Sequence, residues 1–255
     1  MTAATLERAA AERRRPRGGL LRVVWRQHRL GLAGAVLLLG GFALLLVING
    51  AAMHADVSRL GLDTCGNVNG AHCRLPFEIF SSRYSGIAMY LPRLLEFLPA
   101  VLGVFLGAPL IARELESGTF RFAWTQGRTR GRLLATKLAV LAAVLVVLSL
   151  AFSQLYTWWF GPFESVMGRM GSGQAYEIEG LVFTARTLFG FLLGACLGAV
   201  IRHTVAAMAV TAALWLGAVV PSVIYLRPLI AAPVTLPASS PQVNVSTIWV
   251  IQDWY

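Results

Sequence analysis

Residues 30–52, LGLAGAVLLLGGFALLLVINGAA, hold no charged side chain. A helix needs roughly 20 apolar residues to cross the hydrocarbon of a bilayer. Four more stretches reach that length, at about 91–112, 138–160, 181–201 and 204–226. A soluble core has no use for five such runs. In hydrocarbon each backbone N–H and C=O must be satisfied inside its own segment, so each run is read as a helix. The expected fold is all-α, a polytopic helical membrane bundle. Charged residues make up 13% of the chain, against about 25% in a soluble domain.

The few charges are unevenly placed. The net charge of +10 would suggest nucleic acid in a soluble protein. Here the basic residues flank the apolar runs and no nucleic-acid motif accompanies them, so nucleic acid is not an expected partner. Residues 1–29 carry eight Arg, and residues 113–137 carry five Arg and one Lys. Two spans separate these segments, which puts both on one side. The turn with Arg202 falls there too. The opposite segments are poorer: residues 53–90 hold three Arg against three acids, and residues 161–180 one Arg against three Glu. By the positive-inside bias the chain is a multi-pass plasma-membrane protein with a cytoplasmic N-terminus.

The ends carry less information. The first run is too long for the apolar part of a cleavable signal, so it is read as a retained span. In residues 1–29, a polar tail leads to LLRVVWRQHR. Arg22, Arg26 and Arg29 share one helical face, with Trp25 on another, as in an amphipathic helix lying on the lipid surface; the other reading is a cytoplasmic extension of the first span. Residues 227–255 are expected outside. Pro228, Pro233, Pro237 and Pro241 keep them from forming a sixth span. A sixth span is expected beyond residue 255.

Cys65 and Cys73 enclose a Gly/Asn-rich segment outside the cytoplasm, where a local disulfide is expected. A metal site with His54 and His72 matches no zinc spacing. Cys196, in the fourth run, is read as a small buried apolar residue. Glu96 and Arg186 each lie five residues inside a run, at similar depth from the outer end. Charges in hydrocarbon are costly and pair or face a cavity, so these two are expected to meet or to line one polar pocket. The other reading is that each snorkels separately to the interface.

Catalytic signatures are missing from the sequence. It has no GxxxxGK[ST] phosphate loop and no HExxH, and GSG at 171–173 lacks the nucleophile-elbow spacing. The expectation is a chain without catalytic residues, bound metal or cofactor. The remaining readings are a transport subunit, a membrane sensor or immunity protein, and an intramembrane enzyme, the last needing a catalytic set that the sequence does not display.

The segment 113–137 favours transport. ARELESGTFRFAWTQGRTRGRLLATK mixes charges with Phe120, Phe122 and Trp124, which are costly to leave in water. It looks built to dock a short helix into a partner's groove. Glu114, Glu116, Gly118, Thr119, Thr125, Gln126, Arg130, Arg132, Leu134 and Lys137 resemble the first cytoplasmic loop of the permease subunit of type-2 ABC transporters, most closely those of actinobacteria. The resemblance implies an ATP-driven exporter, in which two permease subunits pair and a separate subunit binds ATP and Mg. This segment would be the coupling loop, docking that subunit through Arg113, Glu114, Glu116, Gly118, Thr119, Phe120, Phe122, Trp124, Arg128, Arg130 and Arg132. The amphipathic segment before the first span also matches the family layout. The family usually has six spans, and the Cys65 and Cys73 segment is not one of its general features.

Overall fold

The computed structural model describes residues 18–65, 72–118, 130–167, 177–222 and 225. Five helical stretches among them are long and apolar enough to span a membrane: His28–Arg59, Arg74–Glu116, Leu134–Glu164, Gly180–Ile201 and Thr204–Pro221. No strand occurs among the described residues.

Helix α1 runs unbroken over Gly18–Arg59. At about 1.5 Å per residue it is roughly twice as long as the hydrocarbon is thick. It therefore projects beyond the bilayer, with residues 18–29 on the side called basic here and its last turns on the far side. Residues 20–29 are thus not a separate surface helix but the first turns of α1, continuous with the span. No proline between Gly18 and Arg59 forces a break. Arg26 and Arg29 are exposed on it. The side chains of Arg22 and Trp25 lie outside the described set.

The second span is an arm of four pieces: α2 (Arg74–Leu95), α3 (Leu98–Leu102), a π-helical turn (Gly103–Gly107) and α4 (Ala108–Glu116). The arm starts well before the apolar run at 91–112. Its first turns are amphipathic: Phe80, Tyr84, Leu91 and Leu95 recur on one helical face and are buried, while Arg83 stays largely exposed. A hydropathy reading takes such a stretch for a loop. Between α2 and α3 the helix breaks at Glu96 and Phe97, bracketed by Pro92 and Pro99, which donate no backbone hydrogen bond.

Helix α5 covers Arg130–Met167, α6 Gly180–Ile201 and α7 Thr204–Pro221. Helix α6 is the hub, packed against α3, the π turn, α4, α5 and α7, while α1 lies along α5. Lipid is as apolar as leucine, so burial alone cannot hold helices together there, and close backbone packing must contribute. Gly103 and Gly107 on the arm lie against α6 at Gly190, Phe191 and Gly194, and Gly198 of α6 faces Ala108 and Ala112. A methyl on Gly194 would sit 2.8 Å from the Ala108 nitrogen and the Gly103 oxygen, so the backbones meet where only glycine fits. The π turn lies in this seam.

Aromatic side chains fill the far-side half. Phe80, Phe152, Tyr156, Trp159, Phe160, Phe163 and Phe183 form one core with Leu46, Met53 and Ile178. Phe80 and Phe163 have ring centroids 5.4 Å apart, tying α2 to α5. A smaller core of Leu32, Leu110, Leu141, Leu145, Phe191 and Ala195 closes the basic-side half. Cys196 is exposed, not buried. It sits on the face of α6 away from the glycine seam, and so toward lipid.

Cys65 and Cys73 are disulfide-bonded, with Cα atoms 6.0 Å apart. The bridge joins the end of the short helical turn after α1 to the N-cap of α2. Asp56 reinforces the connection by accepting the Tyr84 hydroxyl at 2.8 Å and pairing with Arg83 at 3.2 Å.

Candidate functional site

Two polar constellations interrupt the apolar bundle, one at each membrane face. The basic-side one surrounds the ends of the 113–137 segment. Helix α4 ends at Glu116, and Gly118 follows with φ +70°, a left-handed turn that suits glycine. Ser117 and Gly118 donate their backbone N–H groups to the carbonyls of Arg113 and Leu115. The chain re-enters a helix at Arg130.

Both acids of this segment are engaged within the chain. Glu114 accepts a charged hydrogen bond from Lys137 of α5. Lys137 is the only lysine in the sequence, and its side chain is 6% exposed. A buried ammonium needs such a partner. The His28 imidazole of α1 lies within electrostatic reach of both groups. Glu116 reaches α7, where one carboxylate oxygen accepts the Thr204 backbone N–H at 3.0 Å and its hydroxyl at 2.6 Å. His203 Nδ1 stands 3.8 Å from the other oxygen. The first N–H groups of a helix have no partner inside it and carry partial positive charge. A carboxylate from α4 therefore caps α7, where usually a neighbouring Ser, Thr, Asp or Asn would do so.

Of the other docking candidates, Arg113 is exposed. Thr119, Phe120, Phe122, Trp124 and Arg128 lie outside the described residues, as do the side chains of Arg130 and Arg132.

On the far side, Arg186 of α6 meets two carboxylates. Its Nη2 pairs with Glu177, just before α6, and its Nη1 stands 3.8 Å from Glu96 at the break in the arm. The side chains are 13%, 7% and 29% exposed, in the order Arg186, Glu177 and Glu96. One guanidinium between two acids satisfies charges that lipid would not tolerate singly. The Trp215 indole of α7 donates to the Arg186 carbonyl at 3.4 Å, so four elements converge here.

A family model described as ABC-2 membrane transporter related matches residues 33–227, from α1 through α7. The chain belongs to the ABC-2 membrane transporter related family. It is a membrane component of a transporter, and its five spans make it a multi-pass membrane protein. No curated protein and no solved structure matches it.

Within this ABC-2 chain the Glu96–Arg186 juxtaposition was readable from depth, but Glu177 was not. It lies in a polar stretch, and only the excess of three Glu over one Arg at 161–180 hinted at a use for one of them. Thr204, His203 and His28 carried no signal, since their partners are remote in sequence. The glycine seam did carry one. Gly103 and Gly107, and Gly190, Gly194 and Gly198, stand four residues apart, the small-xxx-small spacing of close membrane helices.

Proposed function

We propose that this chain is the permease subunit of an ATP-driven exporter. The basic side is cytoplasmic, so the N-terminus and the 113–137 segment face the compartment that holds ATP. A separate ATP-binding subunit carries ATP and Mg and does the hydrolysis, while this chain supplies the path through the plasma membrane. A second permease subunit, identical or paralogous, completes the path.

The observation that carries this reading is family membership together with the form of the 113–137 segment. It joins two helices of the bundle, is rich in Arg, and holds Phe120, Phe122 and Trp124 among its charges. Aromatic anchors ringed by charge are what a transient docking surface uses, the aromatics for affinity and the charges for orientation.

The test is affinity capture of the full-length chain from its native membranes in mild detergent, with bound proteins identified by mass spectrometry. The expected result is an ATP-binding cassette protein that is lost on Phe122→Asp or Trp124→Asp. Recovery of the chain without any ATPase in several detergents overturns this reading in favour of a membrane sensor or immunity protein.

A further inference from the structure

We infer that Glu114 and Glu116 are not partner contacts but positioning residues, a double clasp that fixes the base of the 119–129 segment to two different helices of the bundle. This inference rests on the permease reading and assigns these two acids a role different from docking.

The geometry separates the two roles. A docking carboxylate keeps its oxygens free for a partner's cation. Glu116 spends one oxygen on two donors of Thr204, and its other oxygen faces His203. Glu114 turns inward to Lys137, whose ammonium is almost wholly buried. Pulling Glu114 toward a partner would strand that charge in apolar surroundings.

The two clasps hold different things. Glu114 and Lys137 join α4 to α5, the helices that enter and leave the segment, and so set the width of its base. Glu116 joins the same end of α4 to the start of α7, which is distant in sequence. A push on the 119–129 segment is then delivered to α4 and α5 as a unit, and through Glu116 to the N-terminus of α7. Helix α4 also packs on α6 through the Gly194 and Gly198 seam, so the displacement passes along a close backbone contact.

The experiment uses the full chain purified with its ATP-binding subunit and placed in lipid nanodiscs. Nitroxide labels replace the exposed Tyr90 of α2 and Val220 of α7 in a Cys196→Ala background, with the disulfide intact. Labelled chain is diluted with unlabelled chain so that each complex carries one labelled copy. The Tyr90–Val220 distance is read without nucleotide and after trapping with ATP, Mg and vanadate, and co-purified ATP-binding subunit is measured beside it.

The wild type is expected to change distance on trapping. Glu116→Ala, Thr204→Val and Glu114→Lys are expected to retain the ATP-binding subunit. The fraction of complexes that change distance should fall about fivefold or more, the low end of coupling between sites. Glu114→Lys with Lys137→Glu should regain what either single change loses. Glu116 is exposed, so its variant tests the inference even if the Lys137 variants do not fold. Loss of the ATP-binding subunit from Glu116→Ala would make the acid a partner contact and overturn the inference. So would a wild-type distance change in Glu116→Ala. An unvariant chain that captures no ATP-binding subunit overturns the permease reading, and the clasp's role with it.

Discussion

Glu116 of α4 and Thr204 of α7 stand 88 residues apart in sequence, and one carboxylate oxygen of the first accepts both the N–H and the hydroxyl of the second. The helix α7 is thereby capped from another helix. Its first turn depends on where α4 ends, which in turn depends on Gly118.

That dependence has a local signature. In Glu116→Ala the Thr204 amide loses its acceptor, and the first turn of α7 loses the charge that favours a helix start at Thr204, Val205 and Ala206. Their hydrogen exchange should quicken, while that of Trp215, buried farther along α7, stays unchanged. Thr204→Ser should keep wild-type exchange, because its hydroxyl and N–H still reach Glu116.

The glycine seam sets a steric limit. Gly194→Ala places a methyl 2.8 Å from backbone atoms that cannot turn aside. Overpacking of this kind costs about 1–3 kcal/mol. Gly217→Ala meets nothing within 4 Å and should be neutral or stabilising by up to about 1 kcal/mol. Unfolding in mixed micelles, with and without each change, measures the contrast.

Arg186 between Glu96 and Glu177 gives an asymmetric response. Arg186→Ala leaves two carboxylates facing each other in apolar surroundings, and removing one partner of a buried pair costs about 3–5 kcal/mol. Glu96→Gln should cost less than Glu177→Gln, because Glu96 stands farther from the guanidinium and is the more exposed. Thermal unfolding of the three variants in one detergent ranks them.

The disulfide tests the side assignment as well as stability. An impermeant maleimide added to intact cells should label Cys65 and Cys73 only after reduction. Breaking the bridge should lower stability by about 2–4 kcal/mol. Labelling that needs permeabilised cells would put this connection on the cytoplasmic side.

Hydropathy made the bundle legible because the bilayer imposes one simple demand on each span, an uninterrupted apolar length. It failed at residues 74–90 because that part of the arm meets protein on one face and not lipid all round. Its signal is therefore the spacing of Phe80 and Tyr84, not mean hydropathy. It also made Cys196 look buried, since an apolar run does not say which face meets lipid. Glu96 and Arg186 were legible because an ion in hydrocarbon is an anomaly that needs a partner. Glu114 and Glu116 were visible as residues but not as clasps. A polar segment offers many uses for an acid, and only the fold brings Lys137 and Thr204 to them.

The central claim is that the 119–129 segment meets an ATP-binding subunit. The most direct test replaces Trp124 with a photoreactive amino acid and irradiates native membranes. The expected result is one dominant crosslink, to an ATP-binding cassette protein, that survives in Glu116→Ala. Crosslinks to lipid or to unrelated proteins alone would contradict the account.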